Sequence, residues 1–211
     1  YMTKKIIIFG FPNCGTSILK YIISHIDDID EIINESTICN IQTTKKYCVC
    51  KYPFTRPEFF TNEYAEYIKI FIIRNPLYVF SSLNKRFNYK IPMMEGVNQH
   101  DINTYINTIK KFIYYKTNPT KDVYTIRYED LFDNNFKNLK DIFDSIGLKY
   151  NEKIFDNSNY SNQIYENIPS DIKNPTDKQH FVGTTHGFGG PNFAEYRTWQ
   201  INQPFINTVS Y

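Results

Sequence analysis

The stretch KKIIIFGFPNCGTSILKYIISHI, residues 4–26, limits the fold more than any other part of the chain. It opens with KKIIIFG (4–10), a short, continuous apolar run with β-branched residues. Such a run marks a strand buried on both faces, as in a parallel sheet. It ends with apolar residues at 18, 19, 22, 23 and 26, which is helical spacing. The loop between them leads from the end of a buried strand into a helix N-terminus. That is the context in which loops that hold phosphate are built.

The same alternation continues. Strands are predicted over 36–42, 46–52 and 67–74, and a helix over 76–87 with Pro76 in its first turn. A polar loop follows over 88–100. A helix is predicted over 101–116 with Asp101 as N-cap, then a strand running into a turn over 121–131. An amphipathic helix over 134–148 stops at Gly147. Strands and helices alternating over 4–148 imply an α/β fold. The expectation is a three-layer sandwich with a central, mostly parallel sheet and a P-loop-like strand–loop–helix. Beyond 149 the pattern fades into an Asn-rich stretch with a glycine cluster at 183–193. We therefore expect one domain over 1–211, with a core at 4–155 and an irregular cover or lid at 156–211.

Bulk properties exclude several classes. Apolar residues make up 41% and charged residues 22%, as in a globular protein. A net charge of +2 argues against nucleic acid or a membrane surface as partner. No apolar run reaches the roughly 18 residues of a membrane span. The chain runs almost directly into its first strand with no visible signal peptide, so a cytoplasmic location is expected. Cys14, Cys39, Cys48 and Cys50 lack the second ligand pair that a zinc site needs, so they are read as free thiols in a reducing compartment, with no metal.

The loop itself breaks a familiar pattern. Gly10, Gly15 and Ser17 hold the places of the glycines and hydroxyl in G-x-x-x-x-G-K-[ST], but Thr16 stands where the lysine belongs. Backbone amides of residues 13–17 at the positive end of a helix dipole, with the Thr16 and Ser17 hydroxyls, suit one phosphate or sulfate without that lysine. The plainer alternative is a tight turn. A second feature is RNPLYVFSS (74–82), in which Arg74 ends a buried strand and Ser82 lies eight residues on. There an arginine and a hydroxyl form a fixed clamp for a phosphate. The alternative is a locally paired arginine and an ordinary helix serine. Taken together, the two anion sites point to a nucleoside with phosphates at both ends.

These residues resemble the sulfotransferases that use 3′-phosphoadenosine 5′-phosphosulfate (PAPS). Pro12-Asn13-Cys14-Gly15-Thr16-Ser17 is similar to that family's P-K-S-G-T-T loop. Arg74 and Ser82 match its R-[ND]-P…S element, and RYEDL (127–131) matches its Y-E-D-L. The segment 139–155 resembles the helix that follows, with a fainter echo at 195–200. The resemblance implies PAPS as co-substrate and no metal. It implies sulfuryl transfer to a hydroxyl or amine of a small-molecule or saccharide acceptor. The loop would hold the 5′-phosphosulfate, Arg74 and Ser82 the 3′-phosphate, and Tyr128 would lie near the adenine.

The match departs from the family at several places. Asn13 stands where the family has a lysine or arginine close to the bridging oxygen. Lys51 matches a second family lysine and is expected to be the surviving cation. The K-T-H-x-P run of cytosolic members is here Lys51-Tyr52-Pro53, without its histidine; Glu58 and His186 are the candidate bases. The R-K-G triplet that closes over the 3′-phosphate is absent, and Arg197 is a candidate in its place. The family's tryptophan after the loop is Ile18, and Trp199 reads as a packing residue. Two other readings compete: a P-loop small-molecule kinase, which position 16 opposes, and a nucleotide-binding module without turnover.

Overall fold

A computed structural model describes residues 3–32, 35–39, 44–80, 83, 98–131 and 134–155. Five strands form one sheet: β1 (Lys4–Phe9), β2 (Ile29–Glu31), β3 (Tyr47–Tyr52), β4 (Tyr67–Ile73) and β5 (Val123–Arg127). Their order is β2-β3-β1-β4-β5, and every pairing is parallel. The helices are α1 (Thr16–Ser24), α2 (76–80 as described), α3 (Gln99–Thr117), α4 (Tyr128–Leu131) and α5 (Lys137–Ile146). The expected α/β fold with a parallel sheet is what forms. The chain divides into compact units Tyr1–Ile154 and Phe155–Tyr211; the expected cover at 156–211 lies outside the described residues.

β1 is the central strand, and Ile6, Ile7, Ile8 and Phe9 are all fully buried. On one face Ile7 and Phe9 join Cys48 and Cys50 of β3, Phe71 of β4 and Phe112 of α3 in a single cluster. By strand alternation Ile6, Ile8, Val49 and Lys51 face the other way, toward the side on which Lys51 meets α1. Each fully buried Ile or Phe contributes about 1.5–3 kcal/mol, which makes β1 a rigid base for the loop that follows it.

Two boundaries differ from expectation. The predicted strand at 36–42 does not form over 36–39, and 40–42 lie outside the described residues. Ser36 Oγ accepts from Ile38 N–H at 3.0 Å, a local turn that competes with strand pairing. The edge strand is instead Ile29–Glu31, in register with Tyr47–Val49. α3 begins earlier than predicted. Its N-cap is Asn98, and Asp101 is the third residue of a capping box in which each side chain accepts the other's backbone N–H, at 3.0 and 3.1 Å. The 121–131 segment is, as expected, a strand running into a turn: β5 followed by the single turn α4. Gly147 ends α5 at φ 78°, as expected.

The four cysteines are free and buried. Cys39 Sγ donates to the carbonyls of Ile6 and Cys48, both at 3.5 Å. Among the described residues no cluster of His, Cys, Asp and Glu could hold a metal, and no helix is long and apolar enough to cross a membrane.

Candidate functional site

The loop between β1 and α1 lies at the C-terminal edge of the sheet, where ligands of open parallel sheets bind. Its two glycines are required by different neighbours. A Cβ on Gly10 would stand 2.0 Å from the Ile72 carbonyl oxygen of β4. A Cβ on Gly15 would stand 2.4 Å from the Tyr128 ring, and Gly15 has φ 99°. Gly15 also caps α1. No side chain caps that first turn, and no acidic residue stands in it. The first amides of α1 are therefore open to an anion. Gly15→Ala is expected to cost about 2–5 kcal/mol, from left-handed strain plus overpacking. A fall of several degrees in thermal midpoint would show it.

Asn13 has φ 64°. Asparagine tolerates that conformation, whereas other side chains lose about 1–2 kcal/mol there. The departure from the family pattern at this position thus suits the loop's backbone. The Asn13 carbonyl accepts from Arg74 Nη1 at 3.2 Å, while its side-chain Nδ2 is buried with no partner among the described residues. An amide N–H held in this way is a donor ready for an oxygen of a bound anion. Cys14 is fully buried, and burial pushes its thiol up to about 12 against a smaller opposing pull from Arg74. It stays protonated and serves packing, against Phe11, Val79 and Tyr105. Pro12 is half-buried.

Two cations from distant parts of the chain reach this loop. Lys51, at the end of β3 and 8% exposed, donates from Nζ to Ser17 Oγ at 2.6 Å. It also pairs with Glu35 Oε1 at 3.0 Å. Glu35 is set there by the backbone: the next residue, Ser36, donates its N–H to the Lys51 carbonyl at 2.9 Å. Thr16 is buried at the start of α1.

Arg74, one residue past β4, is 4% exposed. Its guanidinium lies 4.1 Å from the centroid of the Tyr128 ring and 5.9 Å from that of Tyr78. The Tyr105 hydroxyl, from α3, donates to the Arg74 carbonyl. Burial raises the Tyr105 phenol above its usual range, so it remains a donor. The two later motifs also meet: Glu129 of RYEDL accepts the Asn75 N–H of RNP through Oε1 at 2.6 Å. Asn75 Oδ1 in turn accepts from Leu77 N–H at 3.0 Å and caps α2.

Arg74, Lys51, Tyr128 and loop residues 12–17 are thus gathered at one edge of the sheet. Tyr128 is 5% exposed, with its ring between Gly15 and Arg74. Glu58 is exposed on the 3-10 turn Pro57–Phe60; Glu35 is the carboxylate paired with Lys51. Ser82, His186 and Arg197 lie outside the described residues. Sequence reasoning missed Glu35, Glu129 and Tyr105. Glu129 was legible as the acid within the quoted RYEDL. Tyr105 carried a weaker signal, as a phenol at an apolar position of a helix.

No protein-family model matches the chain, and no curated protein matches it. Among solved structures it is similar to mouse sulfotransferase SULT7A1 complexed with PAP, with a TM-score of 0.61 and 15% identity over all of this chain and 80% of that one. It is also similar to retinol dehydratase in a complex with retinol and PAP, with a TM-score of 0.51 and 12% identity over all of this chain and 84% of that one. The chain has the fold of the PAPS-dependent sulfotransferases.

Proposed function

We propose that the protein transfers the sulfuryl group of PAPS to a hydroxyl or amine of a small-molecule or saccharide acceptor. The observation that carries this reading is a convergence. Lys51 Nζ is 2.6 Å from Ser17 Oγ and Arg74 Nη1 is 3.2 Å from Asn13 O, so two fixed cations flank one helix-capping loop. The two PAP-complexed proteins that share the fold support the same choice of co-substrate.

In this reading the amides of residues 13–17 hold the 5′ end and Arg74, with Ser82, the 3′-phosphate. Lys51 faces the group in transfer. The acceptor oxygen forms a bond to sulfur as the bridging S–O bond breaks, in line and through a loose transition state like that of phosphoryl transfer. Charge growing on the leaving phosphate is met by the loop amides and by Asn13 Nδ2. The acceptor's proton goes to Glu35, the carboxylate beside Lys51, and from there to solvent. Glu35 takes the role expected of Glu58 or His186.

A nucleotide-binding module without turnover is the second reading, favoured by the uncharged Asn13. Calorimetry with adenosine 3′,5′-bisphosphate, and separately with ATP and Mg²⁺, tests the site. Tight binding of ATP–Mg²⁺ alone would end the sulfotransferase reading. Transfer of labelled sulfate from PAPS to a mixed acceptor panel then separates the enzyme from the module, since only the enzyme labels an acceptor.

A further inference from the structure

We infer that Glu129 and Tyr105 are positioning residues for the 3′-phosphate: they bind the two polar groups of the peptide that follows Arg74 and so hold the root from which its guanidinium projects. The inference rests on the sulfuryl-transfer reading, in which Arg74 meets the 3′-phosphate. Both ladders of β4 have ended before Arg74, the last pairs being Phe71 with Phe9 and Ile73 with Arg127. The peptide group between Arg74 and Asn75 therefore takes its partners from side chains. Its carbonyl accepts from the Tyr105 hydroxyl of α3, and its N–H donates to Glu129 Oε1 of α4 at 2.6 Å. A peptide group is a rigid plane, so bonds at its two opposite edges stop it from turning.

Each of the two is itself held. Tyr105 is 2% exposed, with its ring packed edge-on to Phe11 at 5.0 Å and to Phe80 at 5.3 Å. Glu129 Oε2 lies 3.6 Å from Arg127 Nε, which leaves Oε1 to Asn75. Tyr128, the residue before Glu129, sets its ring 4.1 Å from the Arg74 guanidinium. Neighbouring residues of one turn thus grip Arg74 at both ends, the ring at the guanidinium and the carboxylate at the backbone. A guanidinium fork matches a phosphate in few orientations, so a root free to turn would lose that match. Glu129 serves here as an acceptor for an N–H, and the amide oxygen of glutamine can do the same.

The preference for adenosine 3′,5′-bisphosphate over adenosine 5′-monophosphate, measured by titration calorimetry, isolates the 3′-phosphate contact. Wild type and Arg74→Ala come first. The preference is expected in the wild type and should largely vanish in Arg74→Ala. Equal binding of the two nucleotides by the wild type, or a preference that Arg74→Ala keeps, removes the 3′-phosphate reading and the inference with it. Given that contrast, Tyr105→Phe and Glu129→Ala should each lower the preference by about 2- to 30-fold, the range for residues that act on a ligand they do not touch. Monophosphate affinity should stay near that of the wild type, which reports a folded nucleotide site in each variant. Glu129→Gln should keep most of the preference. A role confined to holding the fold would lower both affinities alike and leave their ratio where it was. An unchanged ratio in Tyr105→Phe or in Glu129→Ala, or a Glu129→Gln as impaired as Glu129→Ala, overturns the inference.

Discussion

Arg74→Ala is expected to weaken adenosine 3′,5′-bisphosphate binding by about 10- to 150-fold, the range set by losing a hydrogen bond to a charged group. The expectation rests on how firmly the side chain is held. Arg74 is 4% exposed, stacked on Tyr128 and bonded to the Asn13 carbonyl. A guanidinium fixed this way loses little freedom when a phosphate arrives, so most of the contact energy appears as affinity. The same bond ties Arg74 to the loop, so the substitution also loosens the 5′ end. Arg74→Lys separates the two effects. It keeps a charge but neither the planar stack nor the fork, and its affinity should fall between wild type and alanine. Titration calorimetry on the three proteins, with thermal midpoints alongside, reads both consequences. Normal binding by Arg74→Ala would remove the 3′-phosphate assignment.

How much of this was legible in the sequence differs from residue to residue. The strand–loop–helix could be read because Ile6, Ile7 and Ile8 are β-branched and contiguous, and the helical spacing that follows is clear. The glycines were visible, but not the reasons for them. Those reasons are Ile72 and Tyr128, which lie 62 and 113 residues further along the chain. Asn13 was read as a lost charge; its left-handed backbone gives the residue a second meaning that no pattern carries. β2 carries no strand signature, being three residues with two of them acidic, while the stretch 36–42, with Thr37, Ile38 and Ile41, reads as a strand. Glu35 was illegible for a related reason. Its importance comes from Lys51, 16 residues away, across a segment in which the strand that the pattern predicts does not form over 36–39.

Lys51→Met is expected to lower kcat by about 10²–10³-fold, the usual effect of removing one donor that meets transition-state charge, and to change bisphosphate affinity far less. Glu35→Gln should lower kcat by about 10²–10⁴-fold as a lost general base. The two side chains of the Lys51–Glu35 pair are 10% and 53% exposed, and Lys51 also holds Ser17, so thermal midpoints measured alongside separate lost chemistry from lost stability. The pairing also makes a sharper prediction. In the proposed mechanism Lys51 stands beside both the group in transfer and Glu35, the carboxylate that takes the acceptor proton. One cation then serves two steps, and its removal should harm both. The Lys51→Met, Glu35→Gln double variant should accordingly be no slower than about the worse single variant, because residues acting as a unit are not additive. Single-turnover transfer from labelled PAPS measures all four proteins. Multiplicative losses in the double variant would show two independent residues, and an unimpaired Lys51→Met would show that this lysine does no more than hold Ser17.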